Sequence, residues 1–162
     1  MDHDIIRKRW QRTARGRLKF ELSGLAFARK HGFSPETYAE HLWGNSAAIK
    51  WMGKTAPTAW EYMLKEVEAF HTLYPEVSFQ LNQLSDDEPE LIFAIGCCLG
   101  GWGRNQWGMA NRAGLGKSHV CRYCRQAFRV WSDQLSLCAL PEPQVNGSCI
   151  LRVEKITKTK KG

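Results

Sequence analysis

The chain has 162 residues, of which 43% are hydrophobic and 24% charged, with a formal net charge of +7. This is one domain's length with enough apolar residues for a core, which excludes a disordered chain and a pair of full domains. No run of about 18 apolar residues occurs, which excludes a membrane-spanning helix, and the polar, basic opening MDHDIIRKRWQRTARGR is unlike a secretory leader, so a cytoplasmic protein is expected.

Taken in chain order, residues 4–31 read as a helix with Ile5, Ile6, Trp10, Leu18, Leu22 and Leu25 loosely on one face and basic residues opposite. Gly32 ends it, and Ser34-Pro35 opens a second helix as N-cap and first-turn proline, predicted to run to about Met52 with Tyr38, Leu42, Ala48 and Ile49 inward. Thr58 and Glu61 form a capping box. Behind it Trp60, Met63, Leu64, Val67 and Phe70 fall at helical spacing, with Glu61, Glu66 and Glu68 assigned to the polar face. The period then changes to two: Val77, Phe79 and Leu81 predict a half-buried strand, and Leu91–Cys97 a second, joined by a turn at 85–89. A short helix is expected near 105–113 and a longer one over 118–135. Pro141 and Pro143 are read as breaking the chain, and Cys149–Ile156 as a third strand. The expected fold is α+β: a helical N-terminal half against a small antiparallel sheet in the order strand–strand–helices–strand, one domain over 1–156 with a basic tail at 157–162.

The charge is uneven. Residues 7–19 hold seven Lys or Arg and no acid, and the tail from Lys155 adds four lysines; what remains has twelve basic residues against sixteen acids. Between Glu90 and Asp133 there is no acid, yet Arg104, Arg112, Lys117, Arg122, Arg125 and Arg129 fall there, in the segment that also holds four of the six cysteines. Unopposed positive charge attracts an anion, so a small anionic ligand is expected, held by Arg104, Arg112 and Arg125 with Trp102, Trp107 and Trp131 as apolar walls.

Cysteines in a reducing compartment bind metal or react more often than they cross-link. Cys121 and Cys124 form a C-x-x-C, with His119 two residues before it. Cys97 and Cys98 follow the second predicted strand, and Cys149 begins the third. Four N or S ligands suit tetrahedral zinc, and a C-x-x-C opening a helix places two thiolates where the helix dipole favours their ionised form. Cys121, Cys124, Cys149, Cys97, Cys98 and His119 are therefore the candidate metal ligands. Zinc is expected, and an iron–sulfur cluster is the alternative. Cys138 reads as a buried apolar residue.

A strand ending in Cys, a Gly-containing helix, a helix with a C-x-x-C and then Asn146-Gly-Ser-Cys149-Ile-Leu-Arg-Val153 resembles the C-terminal half of two related groups. These are the 4-vinyl-reductase-like ligand-binding domains and the L-2-amino-thiazoline-4-carboxylate hydrolase-like proteins. The resemblance covers about residues 75–156. It implies zinc bound by Cys121 or Cys124 with Cys149 beside a small-molecule pocket, or, from the second group, a hydrolase acting on a small carboxylated heterocycle through a Cys or metal site. The Glu-x-x-Cys that precedes the last Gly-x-x-Cys in the ligand-binding group is absent here, where Gln144 and Val145 stand, so Cys97, Cys98 or His119 must complete the set.

Two other patterns carry less. Gly114-Leu-Gly-Lys-Ser118 resembles the end of a phosphate-binding loop, but position 111 is Asn rather than the required Gly, and the segment fits the end of one helix and the cap of the next. Ala26–Tyr38 resembles a helix–turn–helix, yet the second helix contains Glu36, Glu40 and His41 and is poor in Arg, Asn or Gln at its start, where base edges would be read, so nucleic acid is disfavoured as a partner. No catalytic triad suggests itself. The expectation is a metal-binding module for a small anionic molecule, with a hydrolase and a DNA-binding protein as alternatives and a homodimer left open.

Overall fold

A computed structural model describes residues 3–44, 58–74, 77–96 and 106–156. Within them lie α1 (His3–Lys30), α2 (Pro35–Trp43), α3 (Ala59–Leu73), β1 (Phe79–Gln83), β2 (Pro89–Phe93), α4 (Gln106–Arg112), α5 (Lys117–Asp133), β3 (Leu137–Pro143) and β4 (Cys149–Lys155). The fold is α+β, as expected.

The helix ends follow from local chemistry. Gly32, at φ +82°, lets the Phe33 and Gly32 amides return to Ala28 and Arg29, closing α1 with a Schellman motif. Ser34 then caps α2 by accepting from the Thr37 amide at 3.0 Å, with Pro35 at the first helical position. The Thr58–Glu61 capping box is present in both directions. Gly114, at φ +75°, repeats the Schellman geometry after α4: Leu115 N–H returns to Ala110 and Gly114 N–H to Asn111, while Gly116 caps α5. The Gly114–Ser118 segment is thus a joint between two helices, held also by Arg29, which donates to the Gly114 carbonyl.

The sheet is antiparallel throughout, in the order β1-β2-β4-β3. One face is buried: Leu91 and Phe93 of β2, Leu151 and Val153 of β4, Leu137 and Ala139 of β3. α3 lies on β2 and β4, and α5 on β3. The other face is more open and carries Arg152, which spans Glu90 at 2.7 Å and Glu142 at 2.6 Å.

Four expectations are corrected here. The sheet has four strands, because Leu137–Pro143, with its two prolines, is a strand. It sits at the sheet edge, and Ala139 directs its N–H away from β4 to Ser132 Oγ at 2.9 Å. Pro141 and Pro143, two and four residues on, fall on that same outer side, where proline removes no ladder hydrogen bond. β2 ends at Phe93, earlier than the predicted 97. On α3 the expected Met63 and Phe70 are buried and Val67 packs against the core, but the inward face also takes in Ala59, Tyr62 and Glu66, while Leu64 is 42% exposed. In α1, Leu18, Leu22, Leu25 and Ala28 are buried, while Ile5, Ile6 and Trp10 are exposed; Trp10 donates its indole N–H to the Thr72 carbonyl at 2.6 Å. The extension of the second helix to Met52 lies outside the described residues.

Ser132 is fully buried and joins α5 to β3. Ser132→Ala leaves the Ala139 amide buried without an acceptor, and the expected loss is about 1–3 kcal/mol. Urea unfolding at unchanged m-value measures it.

Candidate functional site: a cavity between four helices

Among the described residues, a cavity of about 110 Å³ opens between α1, α2, α3 and α5. One buried water needs roughly 10–15 Å³ on this measure, so the space suits a molecule of single-ring size. Arg17 and Glu21 reach it from α1, Trp43 from α2, Glu66 and Phe70 from α3, Tyr74 from the residue after α3, and Tyr123, Cys124, Phe128 and Trp131 from α5.

Helical spacing explains the arrangement. Glu21 lies beside Leu18, Leu22 and Leu25 on α1, and Glu66 follows Tyr62 and precedes Phe70 by one turn each, so both carboxyls stand in otherwise apolar stripes. Tyr123, Ala127 and Trp131 recur every four residues on α5.

A chain of polar contacts runs round the wall. Trp43 Nε1 donates to Tyr123 Oη at 2.9 Å, and Tyr123 Oη donates to Glu21 Oε1 at 2.7 Å. Arg17 Nη1 donates to Tyr74 Oη at 2.9 Å and holds its guanidinium 5.4 Å from the Tyr74 ring centre, and its Nη2 is 3.7 Å from Glu21 Oε2, too long for a hydrogen bond. The indoles of Trp43 and Trp131 meet edge to face at 5.3 Å. Gly24 on α1 makes room for the chain's approach: a Cβ there would collide with the Tyr38 hydroxyl, whose ring lies 5.7 Å from that of Tyr123.

Three residues that line the cavity each have a buried polar atom with no hydrogen-bond partner among the described residues: Glu21 Oε2, Glu66 Oε1 and Trp131 Nε1. Glu66 is only 5% exposed. Burial raises its pKa to about 7, and the hydroxyl of Tyr62, one turn back on the same helix, pulls the other way. Burial likewise raises Glu21, against the pull of Arg17 and Tyr123. Tyr123 is raised by burial and by the neighbouring Glu21 charge, so its hydroxyl stays protonated and donates.

The residues singled out from sequence fall differently. Trp131 lines the cavity, and of the candidate metal ligands Cys124 does. Arg112 and Arg125 are exposed, Trp107 is half-buried on α4 against the core, and Trp102 and Arg104 lie outside the described residues, as do Cys97 and Cys98. Cys121 and Cys124 are the fifth and eighth residues of α5, beyond its first turn, so the helix-opening position expected for them, and its dipole, do not apply. His119 is in that first turn, half-buried. Cys149 is buried at the start of β4, opposite Phe93, and Cys138 is half-buried on β3. Among the described residues no group of three His, Cys, Asp or Glu stands close enough to hold a metal ion. The first turn of α2 is engaged by α5: Arg122 holds Glu36 in a two-point pair at 2.6 and 2.8 Å, and Gln126 donates to Glu40 at 2.9 Å. No described helix is long and apolar enough to cross a membrane.

Arg17, Glu21, Trp43, Glu66, Tyr74 and Tyr123 were not anticipated. The available signal was a glutamate inside each apolar stripe, at positions 21 and 66; assigning Glu66 to the polar face of its helix, with Glu61 and Glu68, concealed it. Comparisons with known proteins add no assignment: no family model, curated protein or solved structure matches the chain. The resemblance to the two cysteine-containing groups therefore rests on its residue pattern alone.

The raised Glu66 has a measurable consequence. A carboxyl whose pKa is higher in the folded chain than in the unfolded one binds its proton more tightly when folded, so stability falls as pH rises from about 4.5 to about 7. Glu66→Gln removes that fall. The variant is expected to gain up to roughly 3 kcal/mol relative to the parent between pH 5 and pH 8, read as the difference between their urea midpoints at the two pH values.

Proposed function

We propose that this chain is a binding module for a small organic molecule, seated in the cavity between α1, α2, α3 and α5. The observation that carries this reading is the set of unpartnered buried atoms. Native proteins satisfy nearly all buried polar groups, and each exception calls for an explanation. Three of the four exceptions among the described residues belong to side chains that line one cavity, where a ligand with matching donors and acceptors would satisfy them. The form of the site agrees: mostly apolar and aromatic walls with a few convergent polar groups are the usual make-up of a small-molecule pocket.

Binding is favoured over catalysis because Cys124 is the only thiol among the lining residues and no histidine lines the cavity to serve it as a base. A cysteine-held zinc is a separate proposal. It rests on the cysteine pattern of the sequence: Cys97 and Cys98, the Cys121–Cys124 C-x-x-C, and Cys149. Elemental analysis with thiol titration tests it: one zinc per chain with three or four protected thiols supports it, and metal-free protein with all six thiols reactive ends it.

The cavity itself is tested by filling it. Ala69 and Ala127 line it from α3 and α5. Ala69→Leu and Ala127→Leu are expected to abolish the thermal stabilisation and the tryptophan fluorescence change that single-ring ligands produce in the parent, since Trp43 and Trp131 form the wall. Unaltered ligand responses in both folded variants would place binding elsewhere.

A further inference from the structure

The polar inventory of the cavity also specifies the charge of its occupant. Two of the three unpartnered atoms, Glu21 Oε2 and Glu66 Oε1, are carboxyl oxygens, which in the ionised form only accept and so call for a ligand that donates; the third, Trp131 Nε1, offers a single donor to the ligand's body. The lining holds two carboxyls and one cation. That cation, Arg17, is already engaged by the hydroxyl and ring of Tyr74 and by the nearer reach of Glu21. Among the described lining residues a bound anion would face both carboxyls with no uncommitted positive group to receive it. The remaining wall is built from Trp43, Phe70, Phe128 and Trp131, whose ring faces attract positive charge, Trp most strongly.

We propose that the cavity selects a small organic cation, a protonated amine or amidine on a body of single-ring size, with its N–H groups directed to Glu21 and Glu66. This rests on the small-molecule reading above and replaces the anionic ligand expected from the basic middle segment of the sequence. Among its described residues that segment supplies no charged group to the cavity: Arg112, Lys117 and Arg125 are exposed, Arg122 is paired with Glu36 and Arg129 with Asp133.

Binding of a cation couples to the protonation of Glu66. The charged and titratable groups sharing the space are Arg17 and Glu21 from α1, Tyr62 from its own helix, Tyr74 beyond the end of α3, and Tyr123 and Cys124 from α5. The cation binds to the ionised carboxylate, so ligand entry below neutral pH expels a proton.

The test is calorimetry on the full chain with three matched ligands at pH 8: benzylamine, benzyl alcohol and benzoate, with benzamidine as a second cation. The cations are expected to bind at least tenfold more tightly than the alcohol, and benzoate not at all. Between pH 7 and pH 5 the cation affinity is expected to fall by up to tenfold per pH unit, while the alcohol shows no such slope. Glu66→Gln should lose at least tenfold in cation affinity together with the slope, and Glu21→Gln should lose affinity while keeping the slope. Circular dichroism confirms that both variants are folded. Equal affinity for amine and alcohol, abolished by Ala127→Leu, overturns the cation while leaving the pocket. Failure of all four ligands to bind overturns both. Full cation affinity in folded Glu66→Gln also overturns this proposal.

Discussion

The site depends on one hydroxyl. Tyr123 Oη accepts from the Trp43 indole and donates to Glu21, so a single oxygen at the middle of α5 holds α2 on one side and α1 on the other. Burial and the adjacent carboxylate keep that phenol protonated, which is what allows it to accept and donate at once. Beyond Glu21 the chain continues to Arg17 and Tyr74, and so to the end of α3. Four segments distant in sequence are thereby fixed around one space. Each contact in such a network leaves the others unsatisfied if it is lost, which makes the wall more exacting than apolar packing alone.

The fold was legible where local chemistry decides. Gly32 with Ser34-Pro35, and Thr58 with Glu61, marked helix ends that the structure bears out, because capping is a contact between residues a few positions apart. The β3 strand was not legible, because prolines in a strand are acceptable only when their missing N–H groups point outward from an edge, and edge position is a property of the whole sheet. The strand's alternation of Leu137, Ala139 and Pro141 was visible, but only the packing of Ser132 against Ala139 shows which side faced out.

The cavity was harder to read for a related reason. Charge runs draw the eye in a sequence, and the six basic residues between Glu90 and Asp133 suggested an anion site. Those described residues sit on outward faces or are paired, as long cationic side chains usually are. The informative charges were isolated ones set among apolar neighbours, Glu21 after Leu18 and Glu66 between Tyr62 and Phe70. A carboxyl at the buried phase of a helix is costly unless something compensates it, so its position in the period carries more information than its number of like-charged neighbours.

The two carboxyls differ in a way that bears on how the cavity works. Glu21 is tethered: Tyr123 donates to one oxygen and Arg17 stands near the other, and both favour its ionised form against burial. Glu66 has only the pull of Tyr62, one turn back on its own helix, against its burial, and its pKa lies at about 7. The first carboxyl is therefore part of the frame, and the second is the responsive group, poised between neutral and charged at the pH of most cell interiors. An occupant that brings positive charge stabilises the ionised form of Glu66 and fills the acceptors that the frame leaves open. The empty cavity instead favours the protonated form, which removes the cost of an unpaired buried charge. The same residue thus lets the four-helix wall stand without a ligand and gives it a reason to hold one.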